Sequence, residues 1–401
     1  MRAFSFVHTA DLHLGYSQYG LEARREDFDR AFQLLVDKTI ELKPDFMIIA
    51  GDLFHQARVS NVTLENAVQN LGRLREAKIP VLVVDGSHDT APNSVTGTVL
   101  NPLDSAGLVY YLPRHEGAFW RKPECCYVYG VPNYRTKRKT EEMLPVFLKQ
   151  NPPKPDSSLF NIFVFHMALD LPSVNPPYME AEASPELLPE GFDYYAAGHI
   201  HKPYLDKFKT GIIAFSGSTE TVNYDETKIE KGFYHVGVDE KGKAYPQFIR
   251  LESQRKFVVL DQDFTGMVAS KITERMSQLV KGADEEGAII IAILRGALPA
   301  EANRAEVDIA QIRASAKKAL LVHPIVLLRE SEVSEEVVRS IFESEFKDLK
   351  TKAFEYFLQI FSERYSRSEA EKIARAAVTL IEPLTEKDEE KVKQTLEELL
   401  Q

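Results

Sequence analysis

The stretch VLVVDGSHDT (residues 81–90) begins as a short apolar run and ends in a turn that carries Ser87, His88 and Asp89. Three more runs are short, apolar and rich in β-branched or aromatic residues: FSFVH (4–8), FMIIA (46–50) and IFVFH (162–166). Such runs predict strands that are buried on both faces. Segments with apolar residues at helical spacing lie on both sides of FMIIA, at 25–44 and 61–78. Strands that alternate with helices indicate an α/β domain.

The sequence predicts further domains after this one. Beyond residue 190 the helical period fades, and YYAAGHIH (194–201) and GIIAFSGSTET (211–221) predict a second sheet, so the first domain spans 1–253. From residue 254, three predicted strands alternate with two predicted helices, at 267–282 and 305–321, which indicates a small α+β domain over 254–334. Residues 335–401 are predicted to be helical.

Composition limits the classes of protein that fit. The 401 residues contain two cysteines, and because these are adjacent, at 125 and 126, they cannot form a disulfide framework. No signal peptide or membrane span is recognisable, so we expect a cytoplasmic protein without a membrane segment. The net charge of −11 counts against a general nucleic-acid binder, although bound cations or a local basic patch can still recruit phosphates. The clearest patch, NYRTKRKT (133–140), is otherwise a solvated loop.

Six of the ten histidines stand at predicted strand ends or in the turns that follow. Together with acidic and hydroxyl residues they form five short groups: Asp11 and His13, Asp52 and His55, Ser87 and His88, His166, and His199 and His201. Functional groups in open α/β sheets gather at the carboxyl ends of the strands. We therefore expect these side chains to meet at one site.

The mixture of imidazole and carboxylate, without cysteine, suits Mn²⁺, Fe or Zn²⁺ better than Ca²⁺. There are more candidate ligands than one tetrahedral ion needs. Two ions about 3.5–4 Å apart that share one carboxylate would use them all, and such a pair can hold and hydrolyse a phosphodiester. A single Asp-x-His pair is common on protein surfaces, whereas five groups at strand ends predict a dinuclear metal site.

The order of the motifs D-L-H, G-D, G-S-H-D, H and G-H-I-H resembles the signature of the calcineurin-like metallophosphoesterase superfamily. The fuller contexts HTADLHLG, AGDLFH, YAAGHIHKP and FSGSTE are similar to those of the archaeal-type DNA double-strand-break repair nucleases, the meiotic recombination eleven/SbcD family. The resemblance is specific over about residues 1–250; beyond that it depends on the order and size of the domains.

This resemblance implies a fold and a set of partners. The fold would be α/β (α+β), a four-layer β-sandwich flanked by helices, with a small α+β capping domain that contacts DNA at 254–334. The helical segment 335–401 would dock on the coiled coil of an SMC-like ABC ATPase, although an ordinary helical bundle that closes the fold is the alternative. The protein would be a homodimer that binds DNA ends and is associated with the nucleoid.

The resemblance also implies roles for individual residues. One metal's ligands match Asp11, His13, Asp52 and His201, and the other's match Asp52, Ser87, His166 and His199, with Asp52 as the bridge. His88 matches a residue that assists cleavage, by protonating the leaving 3′ oxygen or by stabilising the phosphorane. His55 matches a histidine near the DNA phosphate. The metals would be two Mn²⁺ ions, with Mg²⁺ or Fe as alternatives. We also expect DNA contacts from four basic residues: Arg135, Lys137, Arg138 and Lys202.

Position 87 departs from the family pattern, which has Asn where this chain has Ser. A neutral hydroxyl is a poor ligand for a divalent ion, so we expect a weaker second metal site or binding through a water. The sequence leaves open whether this serine is natural or introduced, and whether it serves only the turn.

The resulting functional hypothesis is a Mn²⁺-dependent 3′→5′ exonuclease on duplex DNA ends with endonuclease activity on single strands. One alternative is a structural dimer that holds DNA ends and has impaired catalysis. Another is a phosphodiesterase for small substrates, which would share the metal-binding motifs.

Overall fold

The computed structural model describes residues 1–90, 97–171, 174–176, 179–252, 254–299, 302–330, 346–362 and 365–385. The chain divides into two compact units, Met1–Phe257 and Val258–Gln401.

The first unit contains two six-stranded sheets. The first sheet has the order β12 (Ala244–Arg250), β11 (Gly232–Val238), β1 (Phe4–Thr9), β2 (Phe46–Ala50), β3 (Val81–Val84) and β4 (Tyr110–Tyr111). The second has the order β5 (Phe119–Lys122), β6 (Cys126–Gly130), β7 (Phe160–His166), β8 (Tyr194–Gly198), β10 (Gly211–Phe215) and β9 (Tyr204–Phe208). Four adjacent strands are parallel in each sheet: β1 to β4 in the first, and β6, β7, β8 and β10 in the second. Their carboxyl ends therefore lie at one edge of each sheet.

Four α-helices accompany these sheets: α1 (Glu22–Leu42), α2 (Asn61–Glu76), α3 (Leu100–Ser105) and α4 (Lys137–Gln150). The Ser60 side chain caps α2 by accepting the Thr63 N–H at 3.2 Å. Helix α1 ends at Leu42. It is followed by Lys43, which has a left-handed φ of 50°, and by Pro44, a residue that cannot continue a helix.

Alternate residues of the strands face different layers. Phe6 and Phe46 stack between the two sheets with ring centroids 5.3 Å apart, and Tyr194 of the opposite sheet meets Phe6 edge-on. On the other face of the first sheet, a core that includes Val7 and Met47 packs with apolar residues of α1 and α2. On the outer face of the second sheet, a third core includes Leu144 of α4. The predicted four-layer sandwich flanked by helices is confirmed.

The second unit has a three-stranded sheet of the order β13 (Phe257–Asp263), β14 (Ile289–Ala297) and β15 (Leu321–Arg329), in which β14 and β15 are parallel. Its helices are α5 (Ala269–Gly282), α6 (Ile309–Ala314), α7 (Phe346–Ser362) and α8 (Arg367–Thr385). Helices α7 and α8 pack against each other, and the Arg375 guanidinium lies 5.1 Å from the centroid of the Phe354 ring.

The helix predicted over 305–321 is wrong in length, because only Ile309–Ala314 is an α-helix. Asp308 caps its start by accepting the Gln311 N–H. After it, the Asp284 carboxylate accepts the N–H groups of Lys317, Lys318 and Ala319, and this turn leads into β15. The long-range carboxylate thus replaces the helical hydrogen bonds that the local pattern favours.

Parts of the predicted C-terminal domains, at 300–301, 331–345, 363–364 and 386–401, lie outside the described residues. Among the helices that are described, none has the length and apolar composition needed to span a membrane.

Candidate metal centre

The predicted ligands follow the carboxyl ends of the parallel strands, and several adopt an uncommon backbone conformation. Asp11 and His13 follow β1 with φ values of 55° and 47°, Asp52 follows β2 with 51°, and His199 follows β8 with 85°. Positive φ is rare for residues other than glycine, and such backbone strain concentrates at functional sites. Four of the seven predicted ligands therefore sit in strained turns at the same edge of the sandwich.

Backbone hydrogen bonds join the first two of these turns. The N–H groups of Leu12 and His13 donate to the Asp52 carbonyl at 2.9 and 3.0 Å, and the Asp11 N–H donates to Gly51 O at 3.1 Å. The turn after β3 also comes close to Asp52. A Cβ at Gly86 would lie 2.1 Å from Asp52 Oδ1, so glycine is required at this position. These contacts fix the Asp52 carboxylate relative to the first turn.

One group of ligand atoms contains Asp11, His13 and His201. His13 Nε2 lies 3.2 Å from His201 Nε2, and His201 Nε2 lies 3.8 Å from Asp11 Oδ1. The Asp11 and His13 side chains are buried, so their nitrogen and oxygen atoms face each other without bulk water. This set suits one divalent cation.

A second group contains Asp11, Asp52 and His166. His166 Nε2 lies 3.2 Å from Asp52 Oδ2 and 3.3 Å from His199 Nδ1. Asp52 Oδ2 is also 3.9 Å from His13 Nε2, and Asp11 Oδ1 is 3.9 Å from His166 Nε2, so both carboxylates reach both groups. The Ser87 hydroxyl donates a hydrogen bond to Asp52 Oδ2 at 3.4 Å. Two buried carboxylates among four imidazoles fit a pair of cations.

Hydrogen bonds fix the tautomer of His166. Its Nδ1 lies 2.8 Å from the Ala50 carbonyl oxygen, which can only accept, so Nδ1 carries a proton. The neutral ring then presents the lone pair of Nε2 to the cluster, as a metal ligand must.

Burial and neighbouring charges shift the pKa values of several residues of the cluster. Burial raises the pKa of Asp11. For His166 burial favours the neutral ring, but the neighbouring Asp52 carboxylate outweighs it and raises the pKa to about 10. Burial and the nearby His166 lower the pKa of His199 to about 3. Because ligands must be deprotonated to bind a metal, a cation here would displace the proton that His166 shares with Asp52.

His88 and His55 lie beside the ligands. The His88 N–H donates to Asp52 Oδ1 at 2.8 Å, and His88 Nδ1–H donates to the His55 carbonyl at 2.8 Å. The His55 and His88 rings are 4.8 Å apart, and His55 stacks on Tyr16 at 3.7 Å. With Nδ1 engaged, His88 retains Nε2 for proton exchange. Ligand nitrogens of His13, His55 and His88 also lie within 4.8 Å of one another, so these three rings form a third possible ligand group.

Four supporting residues had no role in the sequence interpretation: Asp89, Asn133, Glu226 and Lys231. Asn133 donates to the His166 carbonyl and accepts the Arg135 N–H at 2.7 Å. Asp89 was visible in the G-S-H-D motif, but its role depends on contacts with Leu53 and Phe54, which no local pattern reveals. Glu226 lies 2.7 Å from His201 Nδ1, and it follows the FSGSTE motif by six residues.

The four basic residues predicted to contact DNA are all exposed. The Arg135 guanidinium donates to the carbonyl of Thr90, in the turn after His88. Lys202 lines a cavity of about 360 Å³ together with His199 and His201. Lys137 and Arg138 begin α4, where Arg138 pairs with Glu142 at 3.0 Å. Arg135 and Lys202 are thus the two that adjoin the cluster.

A family model and three curated proteins are similar to this chain. The family model of the calcineurin-like phosphoesterases matches residues 4–203. The DNA double-strand break repair protein Mre11 of Archaeoglobus fulgidus is 31% identical over 309 residues, which are 71% of this chain and 67% of that protein. The Mre11 proteins of Methanocaldococcus jannaschii and Methanopyrus kandleri are 35% and 30% identical, over 58% and 64% of this chain and 62% and 58% of their own lengths. The matched regions thus cover between 58% and 67% of these three relatives.

Proposed function

Because the chain belongs to the Mre11 family of calcineurin-like phosphoesterases, we propose that it is a DNA nuclease of double-strand-break repair with a dinuclear metal centre. The observation that carries this proposal is the position of Asp52 Oδ2, 3.2 Å from His166 Nε2 and 3.9 Å from His13 Nε2, within reach of both ligand groups. A shared carboxylate of this kind suits two-metal hydrolysis of a phosphodiester.

The ligands under this proposal are Asp11, His13, Asp52 and His201 for one ion and Asp52, Ser87, His166 and His199 for the other. Two divalent ions bound there would polarise the phosphodiester and lower the pKa of a bound water.

The protein's own groups supply the remaining steps. His88 holds its ring by the Nδ1 bond to the His55 carbonyl and delivers a proton from Nε2 to the leaving 3′ oxygen. His55, fixed by its stack on Tyr16, lies where it can contact the adjacent phosphate. Arg135 and Lys202, which adjoin the cluster, bind phosphates of the DNA backbone and supply local positive charge although the net charge of the chain is −11.

We base the proposed activities, metal, partners and assembly on the resemblance to the family. The activities are a 3′→5′ exonuclease on duplex ends and an endonuclease on single strands, with Mn²⁺ as the metal and Mg²⁺ or Fe as alternatives. Residues 254–334 contact DNA, residues 335–401 dock on an SMC-like ABC ATPase, and the protein acts as a homodimer at the nucleoid.

The test is a cleavage assay with purified full chain, Mn²⁺ and three substrates: a 3′-end-labelled duplex, circular single-stranded DNA and bis(p-nitrophenyl) phosphate. We expect release of labelled nucleotides from the duplex and conversion of the single-stranded circle to linear DNA. A chelator and Asp52→Asn should each abolish both reactions. Hydrolysis of the small diester without cleavage of either DNA would contradict the proposal and favour a small-substrate phosphodiesterase.

A second candidate is a DNA-end-binding dimer with impaired catalysis. The observation that favours it is Ser87, whose short side chain stands where the family has Asn, with Oγ 3.4 Å from Asp52 Oδ2. This candidate predicts that the chain binds duplex ends without cutting them and that Ser87→Asn restores cleavage.

A further inference from the structure

The Glu226 carboxylate lies directly behind His201. Its Oε1 is 2.7 Å from His201 Nδ1, so the imidazole N–H donates to it while Nε2 lies among the metal-binding atoms of Asp11 and His13. Glu226 is only 5% exposed and ends a short 3₁₀ turn, Tyr224–Glu226, whose start is capped by Asn223. The carboxylate is therefore held in place by the backbone of the turn.

Lys231 holds both Glu226 and the backbone of His201. Its ammonium group, 1% exposed, donates to Glu226 Oε2 at 2.7 Å, to Ser218 Oγ at 2.7 Å and to the His201 carbonyl at 3.3 Å. The Val222 N–H also donates to Glu226 Oε2, at 3.0 Å. A buried ion pair is costly to desolvate and is by itself weak evidence for stability. Here its hydrogen bonds hold the Glu226 carboxylate and the backbone of His201 in fixed positions.

The other metal group has weaker support behind its imidazoles. His166 donates its Nδ1–H to the neutral carbonyl of Ala50. His199 Nε2 is 3.8 Å from Glu182 Oε2, beyond hydrogen-bonding distance. A charged acceptor raises the basicity of a ligating imidazole more than a neutral carbonyl does, and loss of such a partner typically lowers metal affinity about 10- to 100-fold.

We infer that Glu226, held by Lys231, is a positioning residue that fixes the tautomer and orientation of His201 and makes the Asp11, His13 and His201 group the tighter of the two metal sites. This inference deepens the proposed function and rests on its assumption that the cluster binds divalent metal. It assigns the two ions an order of binding: the Asp11, His13 and His201 group fills first.

The test is a titration of the metal-free full chain with Mn²⁺, in which free Mn²⁺ is quantified by its six-line EPR signal. For wild type we expect a tight first equivalent and a weaker second one. In Glu226→Gln the first equivalent should weaken by about 10- to 100-fold, while the second changes by less than about threefold. The matched control Glu182→Gln, which removes the carboxylate near His199, should leave the first equivalent unchanged.

Glu226→Gln leaves the Lys231 ammonium buried without its counter-charge, so a double variant Glu226→Gln/Lys231→Met keeps the test decisive if the single variant does not fold. The double variant should show the same weakening of the first equivalent, with a circular dichroism spectrum like that of wild type. If a folded variant binds the first Mn²⁺ as tightly as wild type, the inference is wrong. If Glu226→Gln weakens only the first of two classes of Mn²⁺ site but the wild-type chain cuts no DNA, the proposed nuclease is contradicted and this inference is supported.

Discussion

The Asp89 carboxylate accepts a hydrogen bond from the N–H of Phe54 at 2.7 Å, although the two residues are 35 positions apart. Its other oxygen accepts the Leu53 N–H at 2.9 Å. Asp89 is buried and next to His88, the proposed proton donor, while Leu53 follows Asp52, the proposed bridging carboxylate. This one side chain therefore fixes the two turns relative to each other.

Asp89→Ala should therefore disturb both folding and catalysis. Loss of the hydrogen bonds that the buried carboxylate accepts from the N–H groups of Leu53, Phe54 and Gly86 should lower the free energy of unfolding by about 2–4 kcal/mol. We also expect a fall in Mn²⁺-dependent cleavage, because His88 would no longer be held against Asp52. Urea unfolding and the cleavage assay measure the two effects. Thr98→Val is the control, since the Thr98 hydroxyl donates to the Asp89 carbonyl and accepts the Leu100 N–H but does not bond the Asp89 carboxylate. Equal losses in both variants would count against this role of the Asp89 carboxylate.

Ser87→Asn should strengthen the second metal site. The longer carboxamide would bring its oxygen further toward the ion that Asp52, His166 and His199 are proposed to bind. We expect the Mn²⁺ concentration for half-maximal cleavage to fall about tenfold, which corresponds to about 1.4 kcal/mol. If the two proteins have superimposable Mn²⁺ titrations, position 87 is not a ligand, and the account of a weak second site is wrong.

His88→Gln should separate proton transfer from metal binding. Gln cannot donate a proton as an acid, so we expect kcat to fall by about 10²- to 10⁴-fold. Because His88 is not among the proposed ligands, the two Mn²⁺ equivalents should bind as in wild type. A matching loss of bound Mn²⁺ by EPR would instead identify His88 as a ligand.

His8 should make the metal-free protein sensitive to acid. Burial lowers the pKa of His8 from 6.5 to about 3, so between these values the unfolded state binds a proton that the folded state does not. Stability due to His8 is therefore complete above pH 6.5 and is lost as the pH falls, by about 2 kcal/mol at pH 5.

Urea unfolding of wild type and His8→Gln at pH 7 and pH 5, with a chelator present, measures this effect. The variant should lose about 2 kcal/mol less than wild type, and the control His115→Gln, at a partly exposed position, should follow wild type. Parallel losses in wild type and His8→Gln would show that His8 does not cause the acid sensitivity.

The sandwich and the cluster were predictable because both depend on short, regular patterns. The buried strands appear as apolar runs, and Asp11, Asp52 and His166 follow or end them directly. The supporting residues were not predictable because they act on residues far away in the sequence, which no short pattern shows. Glu226 and Lys231 act on His201 from 25 and 30 positions away, and Asp89 acts on a turn that follows another strand. The helix expected over 305–321 was shortened by the remote Asp284 in the same way.

The central claim is a dinuclear centre bridged by Asp52, and anomalous diffraction from crystals grown with Mn²⁺ tests it most directly. The account predicts two manganese peaks about 3.5–4 Å apart, both within bonding distance of the Asp52 carboxylate. It also predicts one peak beside His13 and His201 and the other beside His166 and His199. A single peak at saturating Mn²⁺, or two peaks of which only one contacts Asp52, would contradict it.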